Sequence, residues 1–165
     1  MPNDSQNKGR MNTITKTAIL FIAQGGYAGR FPFAPGTVGT LAAVLIYLVM
    51  MRLSPAVYLA LCILLFLVGT WASDRAEALL GSKDSPSIVI DEVVGFLLAM
   101  FMLPPAWVFV VAGFFLFRVF DIIKPYPLDN LQNIRGGLGI MLDDIGAAVY
   151  TNVVLQVVAA VLNRQ

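Results

Sequence analysis

The stretch RVFDIIKPYPLDNLQNIRGGLGIMLDD, residues 118–144, concentrates chemistry that the rest of the chain lacks. Its 27 residues hold four carboxylates (Asp121, Asp129, Asp143, Asp144), three cations (Arg118, Lys124, Arg135), two prolines and three glycines, with long apolar runs on both sides. Arg118 and Asp121 stand three apart, which on a helix puts them on one face. Pro125 and Pro127 end that helix, and Lys124, preceding a proline, is expected to be extended. Gly136, Gly137 and Gly139 allow a tight return and can present backbone N–H groups to an anion. Asp143 and Asp144 are expected to open the next helix, about 100° apart around its axis, so that one faces the junction more directly. The stretch reads as the polar junction between two apolar helices.

Outside it the chain is apolar. Of its 165 residues 58% are hydrophobic and 13% charged, and mean hydropathy is +0.79, the composition of a membrane protein with room for one domain. A net charge of +1 gives no general attraction to nucleic acid, and no basic stripe interleaved with aromatics exists, so that class is set aside. Residues 1–10 are polar and aperiodic and are expected to form a disordered tail, leaving 11–165 as a single membrane-embedded domain. Residues 11–24 carry Lys16 ahead of an apolar run too short for a signal peptide, and read as an interfacial helix.

Five apolar segments follow, at residues 38–51, 57–72, 93–103, 106–117 and 145–162. The expected fold is all-α: a small polytopic membrane bundle of about five membrane-embedded helices plus the N-terminal interfacial helix. Several segments fall short of the ~20 residues that cross a bilayer. The flanking PGTVGT, DE and RVFDII sequences are therefore expected to extend them as helix. Pro104-Pro105 separates the third and fourth segments, which either cross or form a re-entrant hairpin. With a cytoplasmic N-terminus, Lys8, Arg10, Lys16, Arg30, Arg75, Lys83, Arg118, Lys124 and Arg135 fall inside and Arg52 and Arg164 outside, as the positive-inside rule requires. All ten acids fall on the inside too.

Two absences narrow the chemistry. Without histidine there is no imidazole nucleophile, base or metal ligand, and with one cysteine there is no disulfide or thiolate cage within the chain. Cys62 has Val68 six positions on, so the CxxxxxR phosphatase signature is missing, and Cys62 reads as apolar filler.

Three constellations share the inner face. Residues 35–40, PGTVGT, open the first segment: Thr37 can cap and free N–H groups can attract an anion. They equally suit an ordinary helix entry, with Gly39 and Ala43 as a small-residue contact; without a GK[ST] ending they are no P-loop. Asp91 and Glu92 open the third segment, where acids suit the helix dipole, yet adjacent carboxylates at the edge of hydrocarbon are costly unless something positive holds them. The junction is the third, and singly its charges read as anchors and caps. Three helix ends bringing carboxylates to one face are harder to explain as capping. Oxygen ligands alone favour Mg²⁺, which accepts carboxylates and phosphate oxygens together, and Arg118, Lys124 and Arg135 can clamp phosphate. Asp91, Glu92, Asp121, Asp143 and Asp144 suffice for one ion or two.

PFAPGTVGTLAA, IVIDEVVGF, FRVFDIIKPYPLDNL and IRGGLGIMLDDIGAAV, in that order, closely resemble the motifs of the phosphatidylglycerophosphatase A family over roughly residues 25–150. The resemblance implies a Mg²⁺-dependent phosphomonoesterase of the bacterial inner membrane, converting phosphatidylglycerophosphate to phosphatidylglycerol and phosphate; the charge placement puts its site on the cytoplasmic face. Carried over, the motif residues are Thr37, Asp91, Glu92, Arg118, Asp121, Lys124, Pro125, Pro127, Asp143 and Asp144. The expected site has Asp91, Asp121 and Asp144 as catalytic residues and all five carboxylates as metal ligands, with Thr37, Arg118, Lys124 and Arg135 on the substrate phosphate. Arg135 stands where some members are expected to have histidine, which suits phosphate or lipid contact better than a base. No DxDx[TV] motif marks an aspartyl-phosphate route, and an aspartate nucleophile stays open. The competing class is a small cation-coupled transporter, which should show polar midplane groups and an internal repeat; only Asn152 and Gln156 qualify. Nothing in the sequence marks an oligomeric state.

Overall fold

The computed structural model describes residues 12–83, 85–126, 128, 134 and 136–162. The expected tail, Asp129 and Arg135 lie outside these. Among the described residues there are six α-helices and no strand: α1 (Thr13–Ala23), α2 (Pro35–Met50), α3 (Pro55–Leu80), α4 (Ile90–Ala99), α5 (Trp107–Ile123) and α6 (Gly137–Leu162), with a 3-10 turn at Ala28–Arg30.

Local signals set the boundaries. Ser54 accepts a hydrogen bond from the Val57 N–H (3.5 Å) and Pro55 takes the first position of α3, while Gly81, at φ 70°, closes that helix onto the Glu77 carbonyl. Pro35 likewise begins α2, so PGTVGT is helical, as are the DE of α4 and the RVFDII of α5. The helices α2, α3, α5 and α6 are therefore longer than their apolar cores, as expected, whereas α4, with ten residues, ends at Ala99, short of the apolar run that continues to Leu103.

Two expectations are corrected. Lys124 is not extended: it sits at φ 48°, ψ 64°, its N–H still bonded to the Phe120 carbonyl, so α5 ends in a left-handed cap and Pro125 follows. And α6 begins at Gly137, eight residues before the apolar run, leaving Asp143 and Asp144 about two turns inside it. Glycine makes that early start possible. Gly136, at φ 77°, turns the chain, and Gly137 lies against the backbone of Thr70 and Asp74 in α3, where any side chain would collide.

The helix α4 is the axis of the bundle. It packs on α2, α3, α5 and α6, and of its ten residues only Glu92 and Leu98 are partly exposed. Gly95 permits this: a Cβ there would meet the Phe117 ring at 2.8 Å and the Asp144 Cβ at 3.1 Å. Ten residues extend only about 15 Å, so α4 ends among its longer neighbours, with Ala99 and Met100 buried. The carbonyls at that end find donors: the Tyr58 hydroxyl on Leu97 (2.6 Å), Asn152 Nδ2 on Ala99 and Phe101 (both 2.9 Å), and Gln156 Nε2 on Phe101 (3.3 Å). The two polar residues in the middle of α6 are thus taken up in ending a neighbouring helix. Cys62 is fully buried in the same core.

By length and composition α3 and α6, 26 residues each, are long and apolar enough to cross a membrane. Against the expected five embedded segments, helix length carries two; α2 is a shorter apolar helix of 16 residues. The outward faces of α2, α3, α5 and α6 nevertheless present large side chains such as Leu45 (68% exposed), Leu67 (59%), Phe115 (63%) and Val157 (59%).

Candidate active site

The N-termini of α2, α4 and α6 and the C-termini of α3 and α5 meet at one end of the bundle and enclose a cleft of about 460 Å³. Its walls carry Asp91 and Glu92 from α4, Arg118 and Asp121 from α5, Lys124, and Asp143 and Asp144 from α6. Seven of the residues singled out in the sequence therefore converge on one space, across more than fifty positions of chain.

They divide into three groups. Asp91, Glu92 and Asp144 each offer a carboxylate oxygen within 4.8 Å of the others. Beside them the Arg118 Nη1 donates to Asp121 Oδ2 (2.6 Å), the helical i, i+3 pair, and lies 3.6 Å from Glu92 Oε1. Lys124 pairs with Asp143. The two adjacent aspartates of α6 thus part company, Asp144 to the acidic trio and Asp143 to the lysine, as their angular separation requires. Gly36 makes room for this: a Cβ there would run into the Glu92 carboxylate and come within 3.1 Å of Arg118.

Asp91 is buried at the first turn of α4, and burial, then the charges of Glu92 and Asp144, push its pKa well above the usual carboxylate range. Glu92 is raised too, by burial, with Asp91's hydrogen bond working against the shift and Asp121's charge with it. At Lys124 burial disfavours the ammonium, but the hydrogen bond and charge of Asp143 outweigh it and the pKa rises. Asp91 Oδ1, Glu92 Oε2 and Asp144 Oδ2 are buried without a hydrogen-bond partner among the described residues. Three buried carboxylates with open lone pairs call for protons or for a cation. An all-oxygen donor set fits a hard divalent ion such as Mg²⁺.

Two expected residues stand apart. Thr37 is the third residue of α2, behind a cleft wall formed by Ala34, Pro35 and Gly36; the cap position belongs to Ala34, at φ 46°, with no side-chain hydrogen bond. Arg135 is outside the described residues. Conversely, Glu77, Lys83 and Ser85 line the cleft although no motif pointed to them. Their signal was position: the loop after α3 leads straight into the IVIDE of α4.

A helical bundle with a mouth of clustered carboxylates and paired cations carries the groups that phosphoryl transfer uses, a reaction in which charge and positioning do the chemistry. The profile of the family described as phosphatidylglycerophosphatase A matches residues 21–159. A Haemophilus influenzae protein named phosphatidylglycerophosphatase A is 34% identical over 87% of this chain and 93% of its own length. One of that name from Escherichia coli is 37% identical over 78% and 76%. A Bacteroides thetaiotaomicron protein, provisionally named a phosphatidylinositol-3-phosphatase, is 37% identical over 84% and 91%. No solved structure matches. The chain belongs to the phosphatidylglycerophosphatase A family, and is a phosphatase.

Proposed function

We propose that the protein hydrolyses the phosphomonoester of phosphatidylglycerophosphate, releasing phosphatidylglycerol and inorganic phosphate, at the cytoplasmic face of a bacterial inner membrane and with Mg²⁺ as cofactor. The observation that carries this reading is the acidic trio beside Arg118 and Lys124 at one end of a bundle whose sides are apolar. Exposed apolar side chains on the sides of the bundle suit lipid, and this reading takes the polar cleft to lie at head-group level. The same reading embeds the chain by several passes, supported by α3 and α6, the two helices long and apolar enough to cross.

In this reading Asp91, Glu92 and Asp144 hold the metal. What Mg²⁺ supplies there is Lewis acidity toward a phosphoryl oxygen and a lowered pKa for water. Arg118 and Lys124 hold the remaining phosphoryl oxygens. Asp121 fixes the guanidinium and Asp143 the ammonium, so that neither swings away between turnovers. Water oxygen replaces the glycerol oxygen at phosphorus, the P–O bond to glycerol breaks, and a proton ends on the released hydroxyl. A transporter reading loses its footing at Asn152 and Gln156, which donate to the Ala99 carbonyl at the end of α4 and the Phe101 carbonyl just beyond it.

The test is phosphate release from purified protein in lipid micelles, with and without chelator. Phosphatidylglycerophosphate, phosphatidylinositol 3-phosphate, phosphatidic acid and a soluble phosphomonoester serve as substrates. Release from the first, lost on chelation, is expected; no release from it, or release indifferent to chelator, refutes the proposal. Labelled phosphate retained on the protein would replace direct water attack with an aspartyl intermediate.

A further inference from the structure

Among the described residues three cations line the cleft, and two are engaged: Arg118 by Asp121 and Glu92, Lys124 by Asp143. Lys83 is the third. It is exposed on the rim and forms no ion pair with a described residue. The rim that follows it is built rather than loose. The Ile88 N–H closes a turn onto the Ser85 carbonyl (2.8 Å), and the Ser85 and Ser87 hydroxyls share a hydrogen bond of 3.0 Å. Buried Gln24 donates to Ser87 Oγ (3.5 Å) and accepts from Arg30 Nε (2.8 Å), while the Val89 N–H donates to the Ala23 carbonyl (2.9 Å). Gly29 presses on the Ser87 backbone, where a Cβ would collide. The end of α1 and the turn after it therefore clamp this rim to the bundle, immediately before Asp91 and Glu92.

Resting on the function proposed above, we infer that Lys83, with the Ser85 hydroxyl, forms a second anion subsite that takes the phosphodiester of the lipid while the phosphomonoester occupies the carboxylate end. The substrates named for the relatives share one chemistry: in both, a phosphomonoester lies beyond a phosphodiester on the same head group. A site that reads only the monoester would hold phosphatidic acid equally well, since the dianion is the same. A cleft of about 460 Å³ has room for a head group with two phosphates. Its inner cations are already shared with carboxylates, so a diester at the rim meets Lys83, which forms no ion pair with a described residue. Being exposed, Lys83 contributes modestly and is screened by salt. Its role is discrimination rather than rate.

The experiment uses full-length protein in mixed micelles at low salt, with Lys83→Ala, Lys83→Arg and Ser85→Ala. Substitution of an exposed rim lysine leaves the fold in place. For Lys83→Ala the KM for phosphatidylglycerophosphate is expected to rise about fivefold, with kcat within about twofold, restored by arginine and lost at high salt. The constant for phosphatidic acid as competing lipid, and that for inorganic phosphate, should not move. Ser85→Ala should show the same pattern, weaker. An unchanged KM, or an equal rise for both lipids, refutes the subsite while wild-type turnover leaves the functional reading intact. Wild-type protein inert toward phosphatidylglycerophosphate refutes both.

Discussion

The two ends of α4 are buried alike and treated oppositely. At its C-terminus the carbonyls of Leu97, Ala99 and Phe101 all receive hydrogen bonds, from Tyr58, Asn152 and Gln156. At its N-terminus carboxylate oxygens of Asp91 and Glu92, with one of Asp144, are buried with no partner among the described residues. Burying a polar group costs free energy unless it is paired. The far end meets that cost with protein donors; the near end leaves it open among the described residues, which is what the proposed metal site requires. Satisfaction, more than burial or polarity, is what distinguishes these two ends of α4.

That contrast can be broken from either side. The largest effect is expected from Asp91→Asn and Asp144→Asn, each lowering phosphate release by ~100-fold or more, while thermal unfolding in the presence of chelator stays level or rises because a buried like charge is gone. A loss of activity matched by a loss of folded protein would instead make the trio structural. Next is Gly36→Ala, whose Cβ collides with the Glu92 carboxylate and comes within 3.1 Å of Arg118; about a tenfold loss of kcat is expected from displacing the carboxylate by roughly an ångström and the guanidinium by less, with the protein still inserted.

Removal of the divalent ion sharpens the same contrast. Mg²⁺ at 100 times its Kd should stabilise wild-type protein by about 2.7 kcal/mol and Asp91→Asn by much less. In chelator the pH dependence has a definite sign. The Asp91 pKa is raised above its ordinary 3.8, so the folded state holds more protons than the unfolded one, and stability falls as pH rises past that value. Saturating Mg²⁺ should flatten the slope. Smallest in activity is Asn152→Ala, which leaves the Ala99 carbonyl without its donor. It should cost about 2 kcal/mol of stability with kcat per folded molecule near wild type. If it instead abolished turnover at unchanged stability, the far end would be functional too.

The polar residues of the site were legible because a chain this apolar has few charges, and those it has cluster at helix ends. Asp91, Glu92, Arg118, Asp121, Lys124, Asp143 and Asp144 were all named from sequence, and all line one cleft. Their division was not legible. That Asp144 joins Asp91 and Glu92 while Asp143 takes Lys124 depends on where α6 begins, and the apolar run begins eight residues late. The early start comes from Gly137 seating on α3, a contact between residues far apart in sequence. Lys83 and Ser85 were missed because a short polar loop looks the same whether it faces solvent or a cleft.

By itself the sequence determined that the fold of the described residues is all helical, that seven charged residues from separate motifs belong to one site, and that neither imidazole nor a thiolate cage takes part in it. Composition and helix punctuation are local properties, and they suffice for that. The tertiary structure alone decided that the shortest helix is the innermost one, and that Asn152, Gln156 and Tyr58 serve to end it. A ten-residue helix cannot reach water at both ends when longer helices surround it, so what its termini need is set by neighbours that no local pattern names.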